Sequence, residues 1–231
     1  MDINDYLDYH KNERCFVICN GPSLNKHNLE LLRNEITIGA NRIYLHKDFY
    51  PMYYTIEDAM DVNQFHKEIN QYTKPVAKFI PEAYKNTIFG DDVIYINFRK
   101  YRRGSLGDYH FNFVNKPKPI FYWAGTVTYL SLQLAHWMGC NPIYIIGADH
   151  YWGNYSKKRG TIQSNSKDDW HFHKDYYGSG KIWNLPVVDR ITRAYEFANQ
   201  IAKDRGFSIY NATIGGKLEV FERVDYNSLF D

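Results

Sequence analysis

Short apolar runs, each stopped by turn residues, recur along the first half of the chain. Cys15-Phe-Val-Ile-Cys19 has the pattern of a buried strand and ends at Asn20-Gly21-Pro22-Ser23. Leu24, Leu29, Leu31 and Leu32 then suggest a helix, which Ser23 is placed to cap. Further strands are predicted at 35–40, 52–56, 76–80 and 93–96, with a short amphipathic helix at 59–70. Residues 125–139 give the clearest helix signal. Val127, Leu130, Leu132, Leu134, Trp137 and Met138 leave almost no polar face, so this helix is expected to be buried, with Gly139 closing it. A strand at 142–147 and a helix opened by Pro186 and closed by Gly206 follow. The chain ends on a strand at 208–211 and a turn at 213–216 leading into a short helix that carries Leu218 and Phe221.

Strand and helix in alternation predict an α/β architecture with a mainly parallel, helix-covered sheet. Such sheets bind ligands beyond the carboxyl ends of their strands. Asn20, Asn41 and Asp58 stand at three successive ends, and Asp149 and His150 follow a fourth. Two stretches lack this periodicity. Residues 97–119 are basic and aromatic, including Arg99, Lys100, Arg102 and Arg103, and read as a solvated loop or as a flap over an anion. Residues 151–185 are polar and aromatic, with three Trp and three His in or beside them, and are expected to form a lid. The Lys157-Lys158-Arg159 run within it reads as solvated.

Composition narrows the classes. The 231 residues, 44% hydrophobic, suffice for one substantial α/β unit spanning 1–231. A net charge of +2 demands no nucleic-acid partner. Three cysteines in apolar runs argue against a disulfide framework, and without further ligands at suitable spacing they argue against zinc. No segment resembles a signal peptide or a membrane span, so a cytoplasmic location is expected. An oligomer remains open.

The turn Asn20-Gly21-Pro22-Ser23 joins a strand to a helix start. Backbone N–H groups there can cradle phosphate, although the turn is neither a P-loop nor a dinucleotide fingerprint, and an ordinary strand-to-helix turn fits equally well. Trp123-Ala-Gly125-Thr126 is a second candidate cradle. His171 and His173 flank Phe172 and would share one face of an extended segment, one of them serving as general base. Asp149 is the next candidate base, with loop-holding as its alternative. His150 reads more as a core residue than as a ligand, and Cys19 as a small buried side chain.

In their order and spacing, Asn-Gly-Pro-Ser-Leu at 20–24, Asn41, the Gly125 helix, Gly147-Ala-Asp149 and Tyr-Asn-Ala-Thr-Ile-Gly-Gly at 210–216 resemble two related groups. One is the family 42 bacterial sialyltransferases. The other, the closer, is the bacterial polysaccharide-locus family related to archaeal 6-hydroxymethylpterin pyrophosphokinase. The resemblance covers about residues 14–225. It implies a Rossmann-like nucleotide site with helices on both sheet faces, and donor contacts from Asn20, Gly21, Pro22, Ser23, Asn41, Asp58, Gly125 and Thr126. It also implies a histidine base and lid tyrosines, for which Tyr155, Tyr176 and Tyr177 are available. Where those sialyltransferases carry a serine before the helix, this chain has Ala124-Gly125-Thr126, and it lacks their C-terminal membrane-associating segment. The function expected first is glycosyl transfer from a nucleotide-activated sugar, CMP-linked in one version, to a glycan or small acceptor in surface-polysaccharide assembly. That chemistry needs no metal. The alternative is ATP-dependent pyrophosphoryl transfer to 6-hydroxymethylpterin or a similar molecule, which uses Mg²⁺. A binding module without catalysis is the third class.

Overall fold

The computed structural model describes residues 1–100, 109–153, 160–164 and 167–231. Its strands are β1 (Cys15–Ile18), β2 (Ile36–Ala40), β3 (Tyr53–Thr55), β4 (Ala77–Pro81), β5 (Val93–Arg99), β6 (Ile120–Tyr122), β7 (Ile143–Ile146), β8 (Thr161–Gln163), β9 (Ile182–Asn184), β10 (Ile209–Asn211) and β11 (Glu222–Arg223). Its α-helices are α1 (Ala59–Gln71), α2 (Val127–Trp137) and α3 (Val188–Arg205). Nine strands form one sheet in the order β11-β10-β7-β1-β2-β3-β4-β5-β6, and every neighbouring pair is parallel. The architecture is therefore Rossmann-like α/β, with a parallel sheet throughout.

Topology fixes where a ligand can enter. From β1 the chain steps outward through β2 to β6, returns through α2, and resumes at β7 on the other side of β1. Strand order reverses between β1 and β7, and a crevice opens beyond their carboxyl ends. Side chains alternate across the sheet as pleating requires. Cys15, Val17, Ile143 and Ile145 pack with α2 and α3 on one face, while Phe16, Ile18 and Ile146 pack with α1 on the other. The helix α2 is buried nearly all round, as its sequence predicts, with Leu130, Leu132, Leu134 and Trp137 fully enclosed.

Four expectations are corrected. The helix after β1 is two 3₁₀ turns, Pro22–Lys26 and Leu29–Leu32. The Asn28 side chain accepts from Glu30 N at 3.2 Å and starts a new turn, a local bond that competes with helix continuation. The stretch 97–119 is not wholly loop: β5 runs on to Arg99, and β6 pairs with it from Ile120. Arg102 and Arg103 lie outside the described residues. No helix carries Leu218 and Phe221, and the next helical turn is a 3₁₀ turn at Asn227–Leu229. Gly215 and Gly216 take left-handed conformations, and Arg223 donates to the carbonyls of Thr213 and Gly215, which turns the chain into β11. Residues 151–185 are not structureless either. β8 and β9 pair antiparallel, and Phe172, Tyr176, Tyr177, Trp183 and Leu185 are buried against the α1 face. Tyr155 and the 157–159 run lie outside the described residues. No described helix is long and apolar enough to cross a membrane.

Candidate functional site

A cavity of about 470 Å³ occupies the crevice at the strand-order reversal. Asn20, Gly21, Asn41, Asp58, Gly125, Thr126, Asp149 and His171 all line it, so eight of the residues singled out from sequence converge on one space. Pro22, Ser23 and His173 do not line it.

The turn at 20–23 already holds an anion, and that anion belongs to the protein. Asp149 Oδ2 accepts from Ser23 N at 3.0 Å and from Ser23 Oγ at 2.7 Å. The Ser23 side chain therefore does not cap its own helix. Asp149 fills the place where a phosphate oxygen would sit, and its charge repels a second anion. Gly21 has an ordinary φ of −70°, so backbone freedom is not its role. It is glycine because a Cβ there would run into Asp149 Oδ2 and lie 2.7 Å from the Gly147 carbonyl oxygen. The other carboxylate oxygen of Asp149 has no hydrogen-bond partner among the described residues.

The second cradle carries positive charge. Gly125 precedes α2, and a Cβ on it would lie 2.8 Å from Nη2 of Arg190. The Arg190 guanidinium also stacks on Trp123, 4.4 Å from the ring centroid. Arg190 and the N-terminal end of α2 face the same cavity, and both favour an anion there. Sequence reasoning missed Arg190, which sits on α3, 65 positions from Gly125, with no motif around it. Thr126 caps α2, and Thr128 exchanges a 3.2 Å contact with Cys19 Sγ. Burial pushes the Cys19 thiol up to about 12, so it is a neutral packing group and not a nucleophile.

Asn20 and Asn41 each present a buried carboxamide oxygen with no partner among the described residues. Asn20 also has a structural task, because its Nδ2 donates to Ala40 O at 3.0 Å and ties the ends of β1 and β2 together. Asn20→Ala is therefore expected to weaken binding of a ligand that this oxygen serves in the cavity and also to lose about 1 kcal/mol of stability, the usual worth of one such bond. Urea unfolding checks the second effect and calorimetric titration the first.

His171 and His173 part company. His171 Nδ1 lies 2.8 Å from Asp168 Oδ2, and its ring stacks on Tyr176 with centroids 4.0 Å apart. Its Nε2 has no partner among the described residues. Burial raises the Asp168 carboxyl, but bonds from His171 and from the N–H groups of Trp170 and Tyr177 outweigh this and hold it below its ordinary range. An ionised Asp168 fixes the Nδ1–H tautomer and leaves Nε2 as a proton acceptor. His173 instead accepts from Asp175 N at 3.2 Å, outside the cavity. The segment turns here and is not extended, so the two side chains do not share a face. Several bonds dock the turn. Phe172 N donates to Asn20 O at 2.9 Å, the Arg42 guanidinium donates to the Asp175 and Tyr176 carbonyls, and Tyr177 Oη donates to both oxygens of Asp61 at 2.8 Å. His150 is a satisfied residue. Thr192 Oγ1 donates to Val188 O and accepts from His150 Nε2 at 2.8 Å, and burial lowers the imidazole's pKa.

Beyond β3 lies an acidic group, of which sequence reasoning singled out only Asp58. Asp58 caps α1 through Met60 N at 2.8 Å and accepts from Asn184 Nδ2 at 2.9 Å. Asp61 is pushed up to about 7 by burial and by Asp58, against the pull of the Tyr177 bond and Arg42. Glu57 is pushed up to about 8 by burial and by Asp58, with Lys100 and Arg190 pulling the other way.

A metal would need ligands here. Among the described residues no three acids, histidines or cysteines stand together as a metal cage. Mg²⁺ in phosphate chemistry is commonly held by one or two carboxylates plus the substrate. The Asp149 oxygen that has no partner among the described residues fits that limited role, whereas both Asp58 oxygens are taken.

These features define a parallel α/β protein with a cavity at its strand-order reversal. Residues 1–154 match the model of the family described as 6-hydroxymethylpterin diphosphokinase MptE-like, and the chain belongs to that family. No curated protein and no solved structure matches it.

Proposed function

We propose that the protein is a transferase that moves an activated group from a nucleotide donor to a hydroxyl of a small acceptor. Diphosphoryl transfer from ATP to 6-hydroxymethylpterin or a similar flat heterocycle is the first reading. The observation that carries it is the Asp168–His171 pair, which leaves an imidazole nitrogen as proton acceptor at a cavity that Arg190 also lines, beside the α2 N-terminus. His171 Nε2 takes the acceptor hydroxyl proton, the alkoxide oxygen bonds to the β-phosphorus of ATP, and the bond between that phosphorus and the AMP oxygen breaks. Arg190 and the first turn of α2 meet the phosphate charge. Asp149 would hold a Mg²⁺ ion, which neutralises phosphate charge when bound. Family membership supports the diphosphoryl reading over the glycosyl reading expected first from the sequence.

Glycosyl transfer from a nucleotide-activated sugar is the second reading. Four of the five tryptophans, Trp123, Trp152, Trp170 and Trp183, line the cavity, and such faces stack on sugar C–H groups as well as on flat rings. Product analysis separates the two. Incubation with ATP, Mg²⁺ and 6-hydroxymethylpterin is expected to release AMP and form the pterin diphosphate. Release of CMP, UDP or GDP from a nucleotide sugar, with ATP left intact, would replace this reading with the second.

A further inference from the structure

We propose that Glu57 sets the ligand specificity of this cavity by receiving a ring edge that presents two adjacent N–H donors. The 2-amino-4-oxopyrimidine edge shared by pterins and guanine has that chemistry. The inference rests on the transferase reading, since it names what the acceptor or donor ring offers.

Glu57 is a side chain in search of a partner. It is only 5% exposed, it lines the cavity, and its Oε2 is buried with no hydrogen bond among the described residues. Its neighbours are otherwise engaged: Asp61 by Tyr177, Asp58 by Met60 N and Asn184, while Lys100, Arg190 and Tyr195 act on it electrostatically. Native structures rarely leave a buried polar atom unserved without a purpose. A carboxylate accepts only, and its two oxygens match two parallel N–H groups, as in fork-like pairing with guanidinium. The tryptophan-rich walls supply faces on which a flat ring can stack. Burial beside Asp58 keeps the empty carboxyl protonated near neutrality, so the arriving donor pair ionises it and one proton leaves to solvent. Before any ligand binds, the protonated form is the one the fold favours. The Glu57 contribution to stability thus fades as pH rises from about 4.5 to about 8.

Calorimetric titration at pH 7, in two buffers of different ionisation heat, tests this with two pairs of probes. 6-Hydroxymethylpterin is compared with 6-hydroxymethyllumazine, which has a carbonyl in place of the 2-amino group, and GMP with IMP, which lacks it. The parent is expected to prefer the amino member of one pair at least tenfold and to release close to one proton on binding it. The pair that discriminates identifies pterin or guanine nucleotide as the source of the edge. Glu57→Gln and Glu57→Met should lose both the preference and the proton release while melting no lower than the parent at pH 8. A purely structural role predicts lower melting and an unchanged preference. Equal binding within both pairs, or a preference that survives in the variants, overturns the inference and leaves the transferase reading standing. No binding of any of the four also overturns it, and AMP formation from ATP then decides the transferase reading alone.

Discussion

His171→Gln is expected to lower turnover by about 10²- to 10⁴-fold, the usual range for a lost general base, with nucleotide affinity within roughly twofold of the parent. Glutamine keeps much of the imidazole's volume but cannot take a proton near neutrality. The base acts on the acceptor hydroxyl, so donor binding should be spared. Asp168→Asn should lose a comparable factor by a different route. An asparagine amide can donate to Nδ1, which shifts the ring hydrogen to Nε2 and removes the acceptor from the cavity. His173→Gln is the control, because His173 contacts Asp175 N outside the cavity. Steady-state and single-turnover rates at saturating ATP and acceptor are the measurements. Parent-like rates in His171→Gln would remove this residue from the chemistry and leave Asp149 as the base to be tested next.

Gly21→Ala is expected to destabilise the protein by about 1–3 kcal/mol, the range for forcing a methyl group into a packed site. The added Cβ collides with Asp149 Oδ2 and the Gly147 carbonyl. Because β1 and β7 meet there, the strain should spread to the bonds from Ser23 N and Oγ to Asp149, and ligand binding should weaken with stability. Asp149→Ala removes one of the two obstacles. In that background the cost of Gly21→Ala should be smaller, and a double-mutant cycle in urea measures the difference. Additive losses would show that Asp149 does not set the requirement for glycine.

The sheet was legible in the sequence because its signals are local. Runs such as Cys15–Ile18 and Ile143–Ile146 carry their burial in composition, and Asn20, Asn41, Asp58 and Asp149 stand where such strands stop. What the sequence withheld depends on distance in space. Nothing near Asp149 signals that its carboxylate reaches 126 positions back to Ser23 and occupies the turn that resembles a phosphate cradle. Arg190 looks like any exposed helical cation until α3 lays it over Gly125. Glu57 precedes the strand-end residue Asp58, and only the packed structure shows it to be buried without a partner among the described residues. The difference between His171 and His173 turns on Asp168, whose bonds to Trp170, His171 and Tyr177 curl a segment that the sequence pattern left extended.

The decisive measurement is a crystal structure with a non-hydrolysable ATP analogue, Mg²⁺ and 6-hydroxymethylpterin. Phosphates are expected at Arg190 and the first turn of α2, with the pterin hydroxyl within hydrogen-bonding reach of His171 Nε2. Phosphates seated on the Ser23 turn with Asp149 displaced, or a nucleotide bound outside this cavity, would contradict this expectation.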